Sequence, residues 1–308
     1  MKLTPNPTRT RDIEAAWLRD IRRRWAEYSR RTLARLEEMN AEALLLANAE
    51  GDADPFVMSV QQQRVYMAYV QEQIDALLLG GTEPPNWQAQ YQLQSYERAL
   101  TQIRGELIRQ GAAIVPTEAE RLAAAGLQPF TATPTLATGP AAAPVHRDAL
   151  QFLYTRSYDA LQGWTAALAR QTREVLFDGL QLGQQSRVIA RRLQERIDVS
   201  ASRARTIAQT ETNQAYSRAS IAAIDQAAEE TGEDIRTRWI TARDSRVRHS
   251  HAELHGVVMT TEAAQRVKIT DGINCRCALT AVVPGTDTPR RAKRYEAERA
   301  QLLALERK

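Results

Sequence analysis

Apolar positions recur at three- and four-residue steps through most of this chain. Between about residues 10 and 49, Ile13, Trp17, Ile21, Trp25, Tyr28, Leu36 and Met39 form one stripe, the spacing of a helix with a single buried face. Gly51 and Asp52 end that helix, and Asp54-Pro55 opens a second that runs to Leu79, before Gly80-Gly81. Pro84-Pro85-Asn86 opens a third. It carries Trp87, Leu93, Tyr96, Leu100, Ile103 and Leu107 on its apolar side and stops at Gly111. A short fourth helix is predicted over 117–125. Long helices joined by short turns pack as an antiparallel bundle.

Residues 126–145 hold four prolines and no charge, which reads as a semi-extended linker and a domain boundary. Helix returns over 147–177, with Leu150, Tyr154, Leu161, Trp164, Leu168 and Val175 on one side and Gly179 and Gly183 as its breaks. Two further helices are predicted over 185–197 and 201–230, the second capped by Ser200 or Ser202. Beyond Gly232 the period changes. Strands are predicted over 236–241, with Trp239 inward, and over 257–259 and 278–283. A second linker spans 284–289, and a basic helix covers 290–308. The fold class is therefore mainly α, with a small α+β module near the C-terminus. The expected division is a helical region 1–125, a Pro/Ala/Thr linker 126–146, a helical stretch 147–230, the module 231–285 and a tail 286–308.

Composition narrows this picture. Of 308 residues, 43% are hydrophobic and 25% charged, enough to bury a core. Aromatics at 6%, with 14 Gly and 12 Pro, argue against a large β-sandwich or barrel. No apolar run approaches the length of a membrane span, and residues 1–12 carry no hydrophobic signal stretch, so a soluble intracellular-type protein is expected. The net charge is +4, and 37 of the 41 basic residues are Arg. Arg19, Arg22, Arg23, Arg24, Arg30, Arg31 and Arg35 share the first helix, and Arg236, Arg238, Arg243, Arg246 and Arg248 share the module. Such runs are commonly solvated faces. Arg also suits phosphate, which makes Arg22, Arg23, Arg24, Arg30 and Arg31 candidates for DNA contact.

The soft ligands are concentrated. Three of the four His residues (His249, His251, His255) and both Cys (Cys275, Cys277) fall within 29 residues. His251 and His255 are one helical turn apart, and Cys275 and Cys277 share one side of an extended segment. A zinc ion needs four such donors, so His251, His255, Cys275 and Cys277 are the candidate ligands of a structural zinc. His249 or Asp244 is the substitute ligand. The alternative is two buried thiols and surface imidazoles without metal. A catalytic metal would need a base, for which Asp244 and Glu253 are the nearest offers. No phosphate-binding Gly-rich loop, G-x-S-x-G or H-E-x-x-H occurs. Thr210-Glu211-Thr212-Asn213 is a polar patch inside a helix: either a solvated face or a buried contact locking that helix to the module.

The stretch from Trp239 through Asp244, Arg246, Arg248, His251 and His255 to Gly256, followed by Asn274-Cys275-Arg276-Cys277, resembles the signature of the phage minor head proteins. This is the family of protein F of bacteriophage Mu and related head morphogenesis proteins. Gly183, Ile189-Ala190 and the run from Ser202 to Thr212, including Glu211, fit the family's approach to its T-E-T motif. The resemblance covers about residues 150–283. Departures are Gln209, where the family usually has Arg, and the segment before Asn274, which lacks the usual prolines. His251 and the two Cys are the recurring family positions, whereas position 255 is often Asp.

The resemblance implies a non-enzymatic minor capsid protein inside the virion near the portal vertex, assembled in the host cytoplasm. Its implied partners are the portal protein, the major capsid or scaffold protein, and packaged DNA held non-specifically; its role lies in assembly, DNA packaging or DNA ejection. The competing readings are a metal-dependent nuclease or toxin-like effector delivered with the DNA, and a host DNA-binding regulator.

Overall fold

A computed structural model describes residues 7–47, 58–81, 83–114 and 144–305. Among them the protein is mainly α-helical, with one small antiparallel sheet near the C-terminus, as the change of hydrophobic period predicts. Helix α1, Arg11–Ala47, buries the stripe read from the sequence: Ile13, Trp17, Ile21, Trp25, Tyr28, Leu36 and Met39. Helix α2, Val60–Gln73, starts at a capping box in which Ser59 and Gln62 exchange side-chain and backbone hydrogen bonds. The predicted Asp54-Pro55 start lies outside the described residues. The chain leaves α2 through a π-helical turn, Ile74–Leu79, and stops at Gly80 in the left-handed conformation (φ 72°). Helix α3, Ala89–Arg109, buries Tyr96, Leu100, Ile103 and Leu107.

The predicted helix at 117–125 lies outside the described residues, as does the 126–145 linker except for its last two positions, which already belong to helix α4, Pro144–Gln181. Gly179 does not break α4. It is a close-approach position instead: a Cβ there would lie 2.5 Å from Ile189 Cγ1. The turn falls at Gly183 (φ 62°). The two helices predicted over 185–197 and 201–230 are one, α5, Ser186–Thr231, so no cap forms at Ser200 or Ser202. No Pro or Gly interrupts those 46 residues, and two serines alone do not stop a helix that buries Ile189, Leu193 and Ile197 before them and Ala208, Ala215 and Ile224 after.

The chain forms two compact units, each assembled from separated stretches rather than consecutive ones. One comprises Ala15–Ala89 and Tyr154–Ala208. Within it Trp25 stacks on Trp164 (4.3 Å between centroids, 9° between planes), and Tyr66 Oη donates to Thr32 O at 3.1 Å. The other comprises Met1–Glu14, Gln90–Leu153 and Gln209–Lys308. There Tyr96 Oη and His146 Nδ1 are hydrogen-bonded at 3.0 Å, and Arg98 pairs with Asp12.

This second unit contains the sheet. Strand β1, Arg236–Ile240, is central, flanked by β2, Val258–Met259, and β3, Ala278–Val282, both antiparallel to it. The β1–β3 register pairs Arg236 with Val282 and Ile240 with Ala278. Helix α6, His249–Glu253, follows β1, and helix α7, Thr261–Thr270, follows β2 with Thr260 as its N-cap. Helix α8, Pro289–Leu305, closes the described chain. Trp239, Leu279, Ala264, Ile221, Cys275 and Cys277 form one buried cluster. Among the described residues, no helix is long and apolar enough to cross a membrane.

Candidate metal centre

His251, Cys275 and Cys277 are brought together, all three buried, with their donor atoms within 4.8 Å of one another. His251 sits on α6 with its Nδ1 3.6 Å from Cys275 Sγ and 3.5 Å from Cys277 Sγ. A tetrahedral zinc with bonds of about 2.3 Å to sulfur and about 2.05 Å to nitrogen separates its N and S ligands by about 3.6 Å. The donors already stand at that separation. The other imidazole nitrogen, Nε2, lies 3.1 Å from Asp271 Oδ2 without hydrogen-bond alignment. A carboxylate behind a ligating imidazole is the usual outer partner of a metal-bound His. The ring also stands edge-on to Trp239, at 5.1 Å and 72°.

The two thiols act as one pair. Hydrogen bonding from Cys277, with the nearby Lys268 charge, favours the Cys275 thiolate and brings Cys275 well below the ordinary thiol range. The same interaction, together with burial, pushes Cys277 well above the ordinary thiol range. The two thiols therefore titrate as a pair, and a divalent cation would bind them with loss of their protons. Lys268 is 2% exposed. Its Nζ donates to Asn213 Oδ1 at 2.8 Å and Cys277 O at 2.7 Å, stands 3.4 Å from Cys275 Sγ, and lies 4.9 Å above the Trp239 ring.

The remaining predicted ligands are elsewhere. His255 is fully buried, but Nδ1 lies 3.1 Å from the Thr241 amide, which donates to it, and Nε2 is 3.0 Å from Glu298 Oε2. Both ring nitrogens are therefore engaged, which removes His255 from the four-donor set read from its spacing. His249 is exposed and faces Glu253 at 3.5 Å. Asp244 makes a two-pronged ion pair with Arg276 and accepts the Arg246 amide at 3.0 Å. Arg276, with the neighbouring Arg246, holds Asp244 below the ordinary carboxylate range despite its partial burial.

The polar patch of α5 is a lock. Thr210 Oγ1 accepts the Asn274 amide at 2.8 Å, Asn213 Nδ2 donates to Cys277 O at 3.0 Å, and Gln214 Nε2 donates to Lys268 O at 2.9 Å. Gln209, the departure from the family pattern, donates to Asn274 O at 3.0 Å. Asn274 itself adopts φ 56°, a left-handed conformation that Asn tolerates better than most residues. Glu211 is buried in the same stretch. Arg248 donates to the carbonyls of Asp271 (3.2 Å) and Ile273, tying α6 to the loop before the cysteines. Gly256 (φ 78°) lies against Tyr295 of α8: a Cβ there would come within 2.3 Å of Tyr295 Cβ. Sequence reading misses Lys268, Asp271 and Glu298. Lys268 is one of only four Lys among 41 basic residues, and that rarity is the sequence signal that points to it.

The arginines proposed for DNA contact fall in the other unit. Arg22, Arg23, Arg30 and Arg31 are exposed. Arg23 pairs with Asp20, and Arg30 and Arg31 share Glu27, whose carboxyl they hold down at about 2. Arg24 is committed inward, donating to Leu77 O at 3.0 Å with its guanidinium 4.4 Å from the Trp87 ring centroid.

The site thus defines a helix-anchored α+β module centred on a buried His/Cys/Cys group able to hold a metal ion. Residues 170–280, from within α4 to β3, match the family described as Phage Mu protein F like protein. The matched stretch carries the lock, β1, β2, the first part of β3 and all three donors, and it supports the resemblance read from the motifs. Neither the curated proteins nor the solved structures give a match.

Proposed function

We propose that this chain is a minor head protein of a tailed phage, a structural part of the virion rather than an enzyme. In this reading it is built into the head close to the portal vertex and assists assembly, DNA packaging or DNA ejection. The observation that carries the reading is the family match over 170–280, which falls on the module and its locking helix. The chemistry is consistent with it. The two carboxylates offered as a metal-dependent base are poorly placed: Asp244 is neutralised by Arg276, and Glu253 is exposed beside His249.

Within the module, His251, Cys275 and Cys277 hold a structural zinc, with the Asp271 carboxylate 3.1 Å behind the imidazole. Zinc would cross-link α6 to the segment entering β3 and supply folding energy that so small a sheet lacks. The exposed arginines of α1 would touch packed DNA through phosphates, without sequence preference and with strong salt dependence.

Quantitative mass spectrometry of purified, DNA-filled particles of the encoding phage tests the role. A few to tens of copies per particle are expected. Absence from filled particles, with normal heads formed when the gene is deleted, would overturn the proposal.

A further inference from the structure

A small cavity adjoins the metal centre, with His251, Cys277, Arg246, Arg248, Asn274 and Arg276 in its wall. It encloses about 120 Å³. At about 30 Å³ per water, that is room for roughly four waters or one small anionic group, far below the 300 Å³ or more of a nucleotide-sized pocket. Three arginines line it, and they are not equally committed. Arg276 is tied to Asp244, and Arg248 to backbone carbonyls of the 271–273 loop. Arg246 is 76% exposed, with its nearest carboxylate oxygen, on Asp244, 4.0 Å away.

The centre is one donor short. His251, Cys275 and Cys277 supply three ligands, and among the described residues no fourth His, Cys, Asp or Glu joins them. The side facing Cys275 is closed by the Lys268 ammonium, which is held there by Asn213. The cavity reaches the group from the side of His251 and Cys277. Charge points the same way. Two thiolates balance a divalent ion, Asp244 pairs with Arg276 and Asp271 with Arg248, which leaves the buried Lys268 and the exposed Arg246 as the cations in excess, and a buried charge requires a partner.

We infer that this cavity receives one carboxylate, from an acidic side chain of a partner polypeptide, as the fourth ligand of the ion held by His251, Cys275 and Cys277. The inference rests on the zinc reading above. A protein carboxylate is favoured over a nucleic-acid phosphate by the neighbouring surface: Ile273, next to the wall residue Asn274, is 66% exposed. An exposed aliphatic group beside a basic cavity matches an acidic residue flanked by an apolar one, whereas a phosphate backbone offers it nothing to bury.

The test is to load the full chain with cobalt(II) in place of zinc and titrate it with acetate and, separately, inorganic phosphate, following the cobalt absorption bands. Acetate should shift the bands saturably and more tightly than phosphate, and Arg246→Ala should raise the acetate midpoint by about tenfold through loss of a charge-assisted hydrogen bond. Cobalt bands that ignore acetate would overturn the inference while leaving the metal centre standing. Tighter binding of phosphate would overturn the carboxylate assignment. A chain that gives no thiolate-to-cobalt bands at all would overturn the metal reading and the inference with it.

Discussion

Replacing Asn213 with Leu, which has the same branching but no hydrogen-bonding atoms, should unlock the module from α5. Asn213 is 4% exposed and makes two bonds across the boundary. One is a neutral bond to Cys277 O at 3.0 Å; the other accepts from the buried Lys268 ammonium at 2.8 Å. A neutral hydrogen bond contributes about 1 kcal/mol and a charge-assisted one about 1.5–3 kcal/mol, so the loss is about 2.5–4 kcal/mol. Leu has the branching of Asn and a larger volume, so no cavity is left, and any overpacking adds to the loss. Lys268 keeps Cys277 O and Cys275 Sγ, which places the expected value near the lower end. Amide hydrogen exchange of the full chain reads this locally. With tenfold in exchange per 1.4 kcal/mol, the amides of β1 and β3 should exchange about a hundredfold faster in Asn213→Leu. Asn213→Asp keeps the Lys268 acceptor and loses only the bond to Cys277 O, so its effect should be clearly smaller. Exchange in β1 and β3 that rises less than threefold in the Leu variant would refute the claim that this patch is the lock.

Three further outcomes are expected. Gly256→Ala should destabilise the contact of α8 with the module, because φ is 78° and the new methyl would meet Tyr295; limited proteolysis should release the C-terminal helix sooner, and an unchanged cleavage rate would count against that packing. His255 is pushed below its ordinary pKa by burial, an effect only partly offset by Glu298, so the native state holds it neutral. Its contribution is present above the unfolded value of about 6.5 and is lost as pH falls below it, so protection of α8 should drop as the pH is lowered from about 7 through the His255 titration. Protection that stays flat over that range would contradict the burial-driven shift. Finally, if α1 meets packed DNA, changing Arg22, Arg23 and Arg30 together to Gln should flatten the salt dependence of duplex binding by about two to three counterions; an unaltered slope would remove that surface from consideration.

The helices and the His/Cys focus were legible in the sequence for physical reasons that can be traced to particular residues. The α1 stripe from Ile13 to Met39 keeps one helical face apolar for seven turns, so period alone finds it. Cys275 and Cys277 are the only cysteines and alternate on one side of an extended segment, so their shared side is set by the pleat. What failed were inferences from single residues. Ser200, Ser202 and Gly179 are weak helix signals that tertiary packing overrides, as α4 and α5 show by running through them. His255 has the right sequence spacing for a shared metal, yet spacing does not say where a ring points. The ring lies between Thr241 and Glu298, and Glu298 belongs to a helix 43 residues later in the chain. Asp271 and Lys268 escaped notice because their roles exist only once α7 brings them beside the cysteines.

The module's stability and the proposed ligand of its cavity both depend on His251, Cys275 and Cys277 holding a metal ion. Elemental analysis of the purified full chain, beside a Cys275→Ser, Cys277→Ser double variant, tests it most directly. One zinc per chain is predicted for the wild-type protein and none for the variant, whose module should also melt earlier while the helices of α1 and α2 stay folded. A wild-type chain that carries no stoichiometric metal and takes up none from zinc-containing buffer, with a melting profile unmoved by the double substitution, would contradict it.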